Sequence, residues 1–318
     1  MAADDNRRMT SSYALDGAAP LPHWGVIRAQ GDDAASFLHS QLTQDFALLG
    51  SESARLAGYC SPKGRLLASF IGWKRAPDDI VLVCSADLLA PTLKRLSMFV
   101  LRAKCKLSDA TAQWQLSGLA GPSATAWLGD GAPREVWGHG LHEGGDVVRL
   151  PDAQGAARYL WAAPLDVAAP ALPALSEAAW RWGEVASAVA RIEAATVDRF
   201  VPQMLNYEVV GGVDFQKGCY PGQEVVARSQ YRGTIKRRSF LLRAEAPITA
   251  GQEVFHSADP SQPAGLVANA ADAGGGRHLA IVELKLAALE GGRLHLGAAD
   301  GPVLEREELP YPLPVDAA

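Results

Sequence analysis

QKGCYPGQEVVARSQYRG, residues 216–233, sets a lysine, a lone cysteine, a tyrosine and a glutamate within eight residues, around glycines 218 and 222. Glycine permits positive φ and Pro221 fixes its own φ. The pattern therefore predicts a rigid bend that presents Cys219 and Tyr220 at a fixed place. A helix is expected from Gly222 onward, and its amide-rich start, with Lys217 close by, favours a thiolate at Cys219. Gln223 and Glu224 add polar side chains to that first turn. Packing is the competing reading, because free cysteine is among the most buried residue types. A nucleophile also needs a base, and spacing singles out none of the seven histidines. One cysteine alone does not hold an iron–sulfur cluster.

The same stretch runs into Arg228, Arg232, Lys236, Arg237 and Arg238. These cations are a candidate surface for phosphate, a polyglutamate tail or RNA; a solvated face is the alternative. The net charge of −5 argues against wholesale nucleic-acid binding, leaving only a local, weak RNA contact to consider. With 318 residues the chain exceeds one ordinary core and implies two or three domains. None of the four cysteines forms a CxxC pair, which excludes a zinc ribbon, and no metal site is expected. The first twenty residues contain no apolar run of the secretory type, and no stretch approaches about 18 apolar residues. A cytoplasmic protein without membrane contact is the expectation.

Periodicity predicts helices over 32–46, 87–104, 121–129 and 170–182, and strands near 54–60, 66–73, 79–84, 105–117, 147–150 and 157–163. From about 235 the texture changes to short alternating runs at 239–244, 252–256, 264–269, 278–284 and 293–296, separated by Gly, Pro and Asp. That spacing predicts an all-β unit.

KGCYPGQE (217–224) resembles the signature of the YgfZ family of folate-binding, tRNA-modification-linked proteins, relatives of the glycine cleavage T-protein, an aminomethyltransferase. The resemblance extends over SQLTQDF (40–46), CSPKGR (60–65), FVPQMLNYEVVGGVDFQKGCYPGQEVVARSQYRGTIKRR (200–238) and LPYPLP (309–314), in order. It implies an α+β fold with a three-domain cloverleaf, the GcvT/YgfZ-like architecture, around a central opening that binds a tetrahydrofolate or a derivative. The implied division is a loose tail over 1–19, a folate-binding core over 20–110 with 180–234, an inserted α+β subdomain over 111–179 and a C-terminal β-barrel over 235–318. It further implies support of iron–sulfur cluster assembly or repair, with client enzymes such as those that thiomethylate tRNA. Cys219 is then the redox or transfer thiol, with Lys217 and Tyr220 beside it in the signature of Gly218, Gly222, Gln223 and Glu224.

The resemblance assigns folate contacts to two tryptophans. Trp24 of PHWGVI matches the first, and an ungapped count back from Phe200 places the second at Trp180, with Trp182 as the alternative. Flat rings suit a pterin; core packing is the ordinary role of any tryptophan. The same register sets ASA (186–188) where the family has Glu-Ala-Gly, so Glu193 of ARIEAA (190–195) is not assigned as a ligand.

Aminomethyl transfer needs a carboxylate beside the folate nitrogen. The T-protein carries an Asp pair in a segment like GGVIDDL, whereas GRLLASF (64–70) has Ala68 and Ser69 there. This argues against a folate-dependent aminomethyl or one-carbon transferase, which stays as one alternative. A non-catalytic RNA- or protein-binding module using Arg228, Arg232, Lys236 and Arg237 is the other.

Overall fold

The structure, a computed structural model, describes residues 13–231 and 235–314. Three antiparallel sheets follow from the alternating segments. β1 (Gly17–Pro20) joins β7 (Trp114–Ala120), β8 (His139–His142), β9 (Gly145–Ala153) and β10 (Ala156–Pro164) in the order β1-β7-β10-β9-β8. A second sheet has the order β3-β4-β5-β2-β6, from β2 (Trp24–Gln30), β3 (Ala54–Cys60), β4 (Leu66–Ala76), β5 (Asp79–Ser85) and β6 (Lys106–Asp109). β11 (Arg237–Ala244), β12 (Glu253–His256), β13 (Asp259–Gly274), β14 (Arg277–Lys285), β15 (Leu294–Leu296) and β16 (Val303–Glu307) close into a barrel. The helices are α1 (Ala34–Gln41), α2 (Ala86–Ser97), α3 (Gly121–Leu128), α4 (Glu177–Ala186) and α5 (Gln223–Tyr231). The fold is α+β with a C-terminal β-barrel.

The apolar run in β5 has a simple cause. Both faces of its sheet are covered, so successive residues enter different cores. Ile80, Leu82 and Cys84 pack with Phe37 and Leu38 of α1 and Leu96 of α2. Val81 and Val83 face a larger central core. The barrel strands divide in the same way. Leu242 and Val282 fill the barrel, while their neighbours Leu241 and Ile281 turn outward into the central core with Trp180 and Phe200. All three sheets thus contribute to one apolar centre.

Several boundaries differ from the sequence reading. Residues 17–19, expected in a loose tail, enter β1 with Pro20, and Leu15 is buried; residues 1–12 of that tail lie outside the described residues. α2 stops at Ser97, and backbone bonds from Met98, Phe99 and Val100 to residues three earlier end it in tight turns. α4 begins only at Glu177, because the Ser176 hydroxyl caps it by accepting from the Ala179 amide at 3.1 Å. Pro170 and Pro173 stay in the connection before it. Among the described residues no helix is long and apolar enough to cross a membrane.

The segment 188–193 is irregular, with Ala188, Ala190 and Ile192 buried and no residue exposed, so its polar backbone groups need partners. They come from side chains of the barrel, of the β3-β4-β5-β2-β6 sheet and of the loops that carry Tyr207 and Tyr311. The Tyr311 hydroxyl donates to the Ala188 carbonyl at 2.8 Å and that of Tyr207 to Ala190 at 2.7 Å. Asn269 of β13 accepts from the Arg191 amide and donates to its carbonyl. The Ile192 amide donates to Ser69 of β4 at 2.9 Å, and its carbonyl accepts from Ser85 at 2.6 Å. Tyr207→Phe should strand the buried Ala190 carbonyl and cost about 1–2 kcal/mol, read as a lower urea midpoint at an unchanged slope.

Candidate functional site

Segment 188–193 forms one wall of a central cavity with about 810 Å³ of open space, part of it continuous with solvent. Trp24, at the start of β2, and Trp180, on α4, both line it. Trp182 is buried but belongs to the surrounding core and not to the cavity wall. The two lining indoles converge on Glu184, one helical turn after Trp180. Trp24 Nε1 donates to Glu184 Oε1 at 2.7 Å, and Trp180 Nε1 to the same oxygen at 3.1 Å. His23 Nε2 lies 2.9 Å from the other oxygen.

Guanidinium groups cover the rings. Arg191 lies 5.0 Å from the Trp24 ring centre and Arg158 4.4 Å from that of Trp180. Trp180 also rests on Gly118, where a Cβ would stand 2.4 Å from ring carbons. Only glycine leaves room for the indole there. Burial works against the Glu184 charge, but the His23 hydrogen bond and the Arg191, His23 and Arg158 charges outweigh it, holding its carboxyl at about 2. Burial pushes Arg158 down to about 10, with Glu184 opposing the shift. Sequence reading missed Glu184, Arg158 and Arg191. The spacing of Trp180 and Glu184 at i,i+4 on one helix was the available signal.

Ser69 also lines the cavity, but its hydroxyl holds the Ile192 amide and it carries no charge; Ala68 is buried beside it. Glu193, set aside on register, is part of the wall as well. Its carboxylate accepts from Arg191 at 2.9 Å and from Asn269 at 3.0 Å.

The 217–224 signature lies elsewhere. Cys219 is exposed and does not line the cavity. Cys60, Cys84 and Cys105 are buried, and burial pushes their thiols to about 12, 12 and 11. Lys217 is buried, with its ammonium donating to the carbonyls of His39 and Leu42, the latter at 2.9 Å. It sits 4.6 Å from the centre of the buried Tyr220 ring, and burial drives the Tyr220 hydroxyl upward. Lys217 therefore fastens the bend to the end of α1. Burial lowers it to about 8, while Asp45, Asp214 and Cys219 pull the other way.

Gly222 has φ +80°, and a Cβ there would meet the Ser61 carbonyl oxygen at 2.4 Å and Gly64 Cα at 2.7 Å. The CSPKGR turn and the signature thus interlock backbone against backbone. Gln223 opens α5, its amide bonded to the Tyr220 carbonyl, and Glu224 is exposed. Gly218 borders the His39 ring.

The basic run separates. Arg228 and Lys236 are exposed. Arg237 is held by both carboxylate oxygens of Glu283, at 2.5 and 2.7 Å, and Arg238 is buried against Glu208. Arg232 lies outside the described residues. Among the described residues no group of three His, Cys, Asp or Glu side chains is arranged to hold a metal ion.

No family model matches the chain. It is 32% identical over 239 residues to the tRNA-modifying protein YgfZ of Edwardsiella ictaluri, covering 71% of this chain and 70% of that one. It is 28% identical over 302 residues to the tRNA-modifying protein YgfZ of Aliivibrio fischeri, covering 92% of each. Among solved structures, glycine cleavage system aminomethyltransferase T from Bartonella henselae matches with a TM-score of 0.70 at 18% identity, over 93% of this chain and 86% of that chain. At that identity the likeness establishes the fold.

The cavity electrostatics give a pH prediction. A carboxyl lowered from 4.5 to about 2 stabilises the fold above pH 4.5 and loses that contribution as pH falls through 2. Glu184→Gln removes the ionised carboxylate. The stability gap between wild type and variant should therefore shrink by about 3 kcal/mol from pH 6 to pH 2, as measured by denaturant unfolding at each pH.

Proposed function

The chain belongs to the YgfZ family of tRNA-modifying proteins, and on that premise we propose that it binds a folate and supports iron–sulfur cluster assembly or repair, and through it the thiomethylation of tRNA, with Cys219 as the working thiol. One observation carries the reading. Of the four cysteines, Cys219 alone is exposed, and it is set on a bend fixed at Lys217 and Gly222, outside the cavity. That position suits exchange with a client protein at the surface and leaves the cavity to the folate.

The cavity residues fit such a ligand. Trp24, Trp180 and aliphatic walls offer flat, apolar surfaces to a ring system. Glu184 and Glu193 accept hydrogen bonds from amino groups, and Arg191 at the wall suits a carboxylate. The transferase alternative loses support at Ser69, a neutral side chain already bonded to Ile192. Among the described residues the RNA-binding alternative keeps Arg228 and Lys236 exposed, while Arg237 is paired with Glu283.

In cells lacking the native copy, Cys219→Ala should fail to restore thiomethylated tRNA nucleosides, measured by mass spectrometry. The purified variant should bind tetrahydrofolate as tightly as wild type. Trp24→Ala should weaken that binding by about tenfold or more, the loss of one ring contact. Full restoration by Cys219→Ala would sink the thiol reading.

A further inference from the structure

We propose that His39 is the base that takes the Cys219 proton, with Asp45 orienting its ring. The proposal rests on the reading of Cys219 as a working thiol and supplies the group that activates it. All seven histidines lie among the described residues, and six stand elsewhere. His23 serves Glu184 and His139 lies between Ser51 and Asp146. His142 packs against Trp127, and His256, His278 and His295 belong to barrel strands. His39 is in the last turn of α1, the turn that the Lys217 ammonium fastens to the signature. A Cβ placed on Gly218 would lie 3.2 Å from His39 Nε2. The ring edge thus faces the backbone immediately before Cys219.

The other ring nitrogen sets the tautomer. His39 Nδ1 is 3.0 Å from Asp45 Oδ1. Burial opposes the Asp45 charge, but hydrogen bonds from the Leu48 amide and His39 outweigh it and hold the carboxyl below its usual range. An ionised Asp45 accepts the Nδ1 proton and leaves the Nε2 lone pair beside the thiol-bearing bend. A nucleophile, a base and a third group that orients the base form the general pattern of an activated side chain. The charged groups around this pair are Asp45 after α1, Arg55 of β3, whose guanidinium donates to the Asp45 carbonyl at 3.3 Å, and Lys217 and Asp214 on the segment leading to the thiol.

The chemistry balances without an oxidant. The S–H bond breaks, its proton passes to Nε2, and the sulfur electron pair attacks an electrophilic carbon or sulfur while that atom's leaving group departs. With iodoacetamide as the probe, a C–S bond forms, the C–I bond breaks and iodide leaves.

The test is the rate of Cys219 carboxamidomethylation in the full chain between pH 5.5 and 10, read by mass spectrometry. The buried thiols of Cys60, Cys84 and Cys105 leave Cys219 as the reacting site. His39→Gln should slow the reaction about tenfold at pH 7 and move its pH profile upward by about one unit, with the limiting rate at high pH retained. Asp45→Asn, a milder change, should shift the profile in the same direction by less. Profiles matching wild type in both variants, with native circular dichroism, overturn the proposal. So does a uniform loss of rate at every pH, the mark of a structural role. If His39→Gln does not fold, the Asp45→Asn profile decides alone. Silence of Cys219→Ala in tRNA thiomethylation would defeat the proposed function yet leave the alkylation result intact, so the two failures are distinguishable.

Discussion

Six residues of irregular backbone, 188–193, tie the molecule together. A helix or strand would have satisfied its own amides and carbonyls; this segment relies on Asn269 of the barrel, Ser69 and Ser85 of the second sheet, and Tyr207 and Tyr311 from loops. Buried polar groups without partners cost about 1–3 kcal/mol each. The barrel and the β4–β5 hairpin are therefore docked where those bonds can form, and the cavity exists because they meet there. Ala188, with φ +55°, starts the segment by turning the chain away from α4.

The cavity and the thiol are built on opposed principles. In the cavity, charge is enclosed and balanced. Glu184 collects two indole N–H groups and His23, while Arg158 and Arg191 cover the indole rings. At the bend, Lys217 is buried and fastened to α1, while Cys219 is exposed.

Much of this was legible in sequence where the signal was local. The alternating runs after 235 became five of the six barrel strands, and β16 was missed because VLERE lies next to a proline-rich tail. The ends of α2 and α4 were misplaced because alanine-rich and leucine-rich windows continue past the residues that cap or unwind them. The site electrostatics were illegible for a different reason. Trp24 and Glu184 are 160 residues apart and Lys217 and His39 178 apart. No window of periodicity spans such distances. The family resemblance supplied Trp24, Trp180 and Cys219, and only packing could add Glu184 and His39 to them.

The contact of Gly222 with Gly64 carries a consequence about reach. Two backbones in van der Waals contact leave no slack, so Cys219 has no swinging arm with which to carry a group from the cavity to the surface. On the proposed reading of Cys219, a reactant would have to arrive from outside, shaped to approach an anchored atom. The contour of the rim around the bend, more than any motion of the thiol, would then select which molecules react.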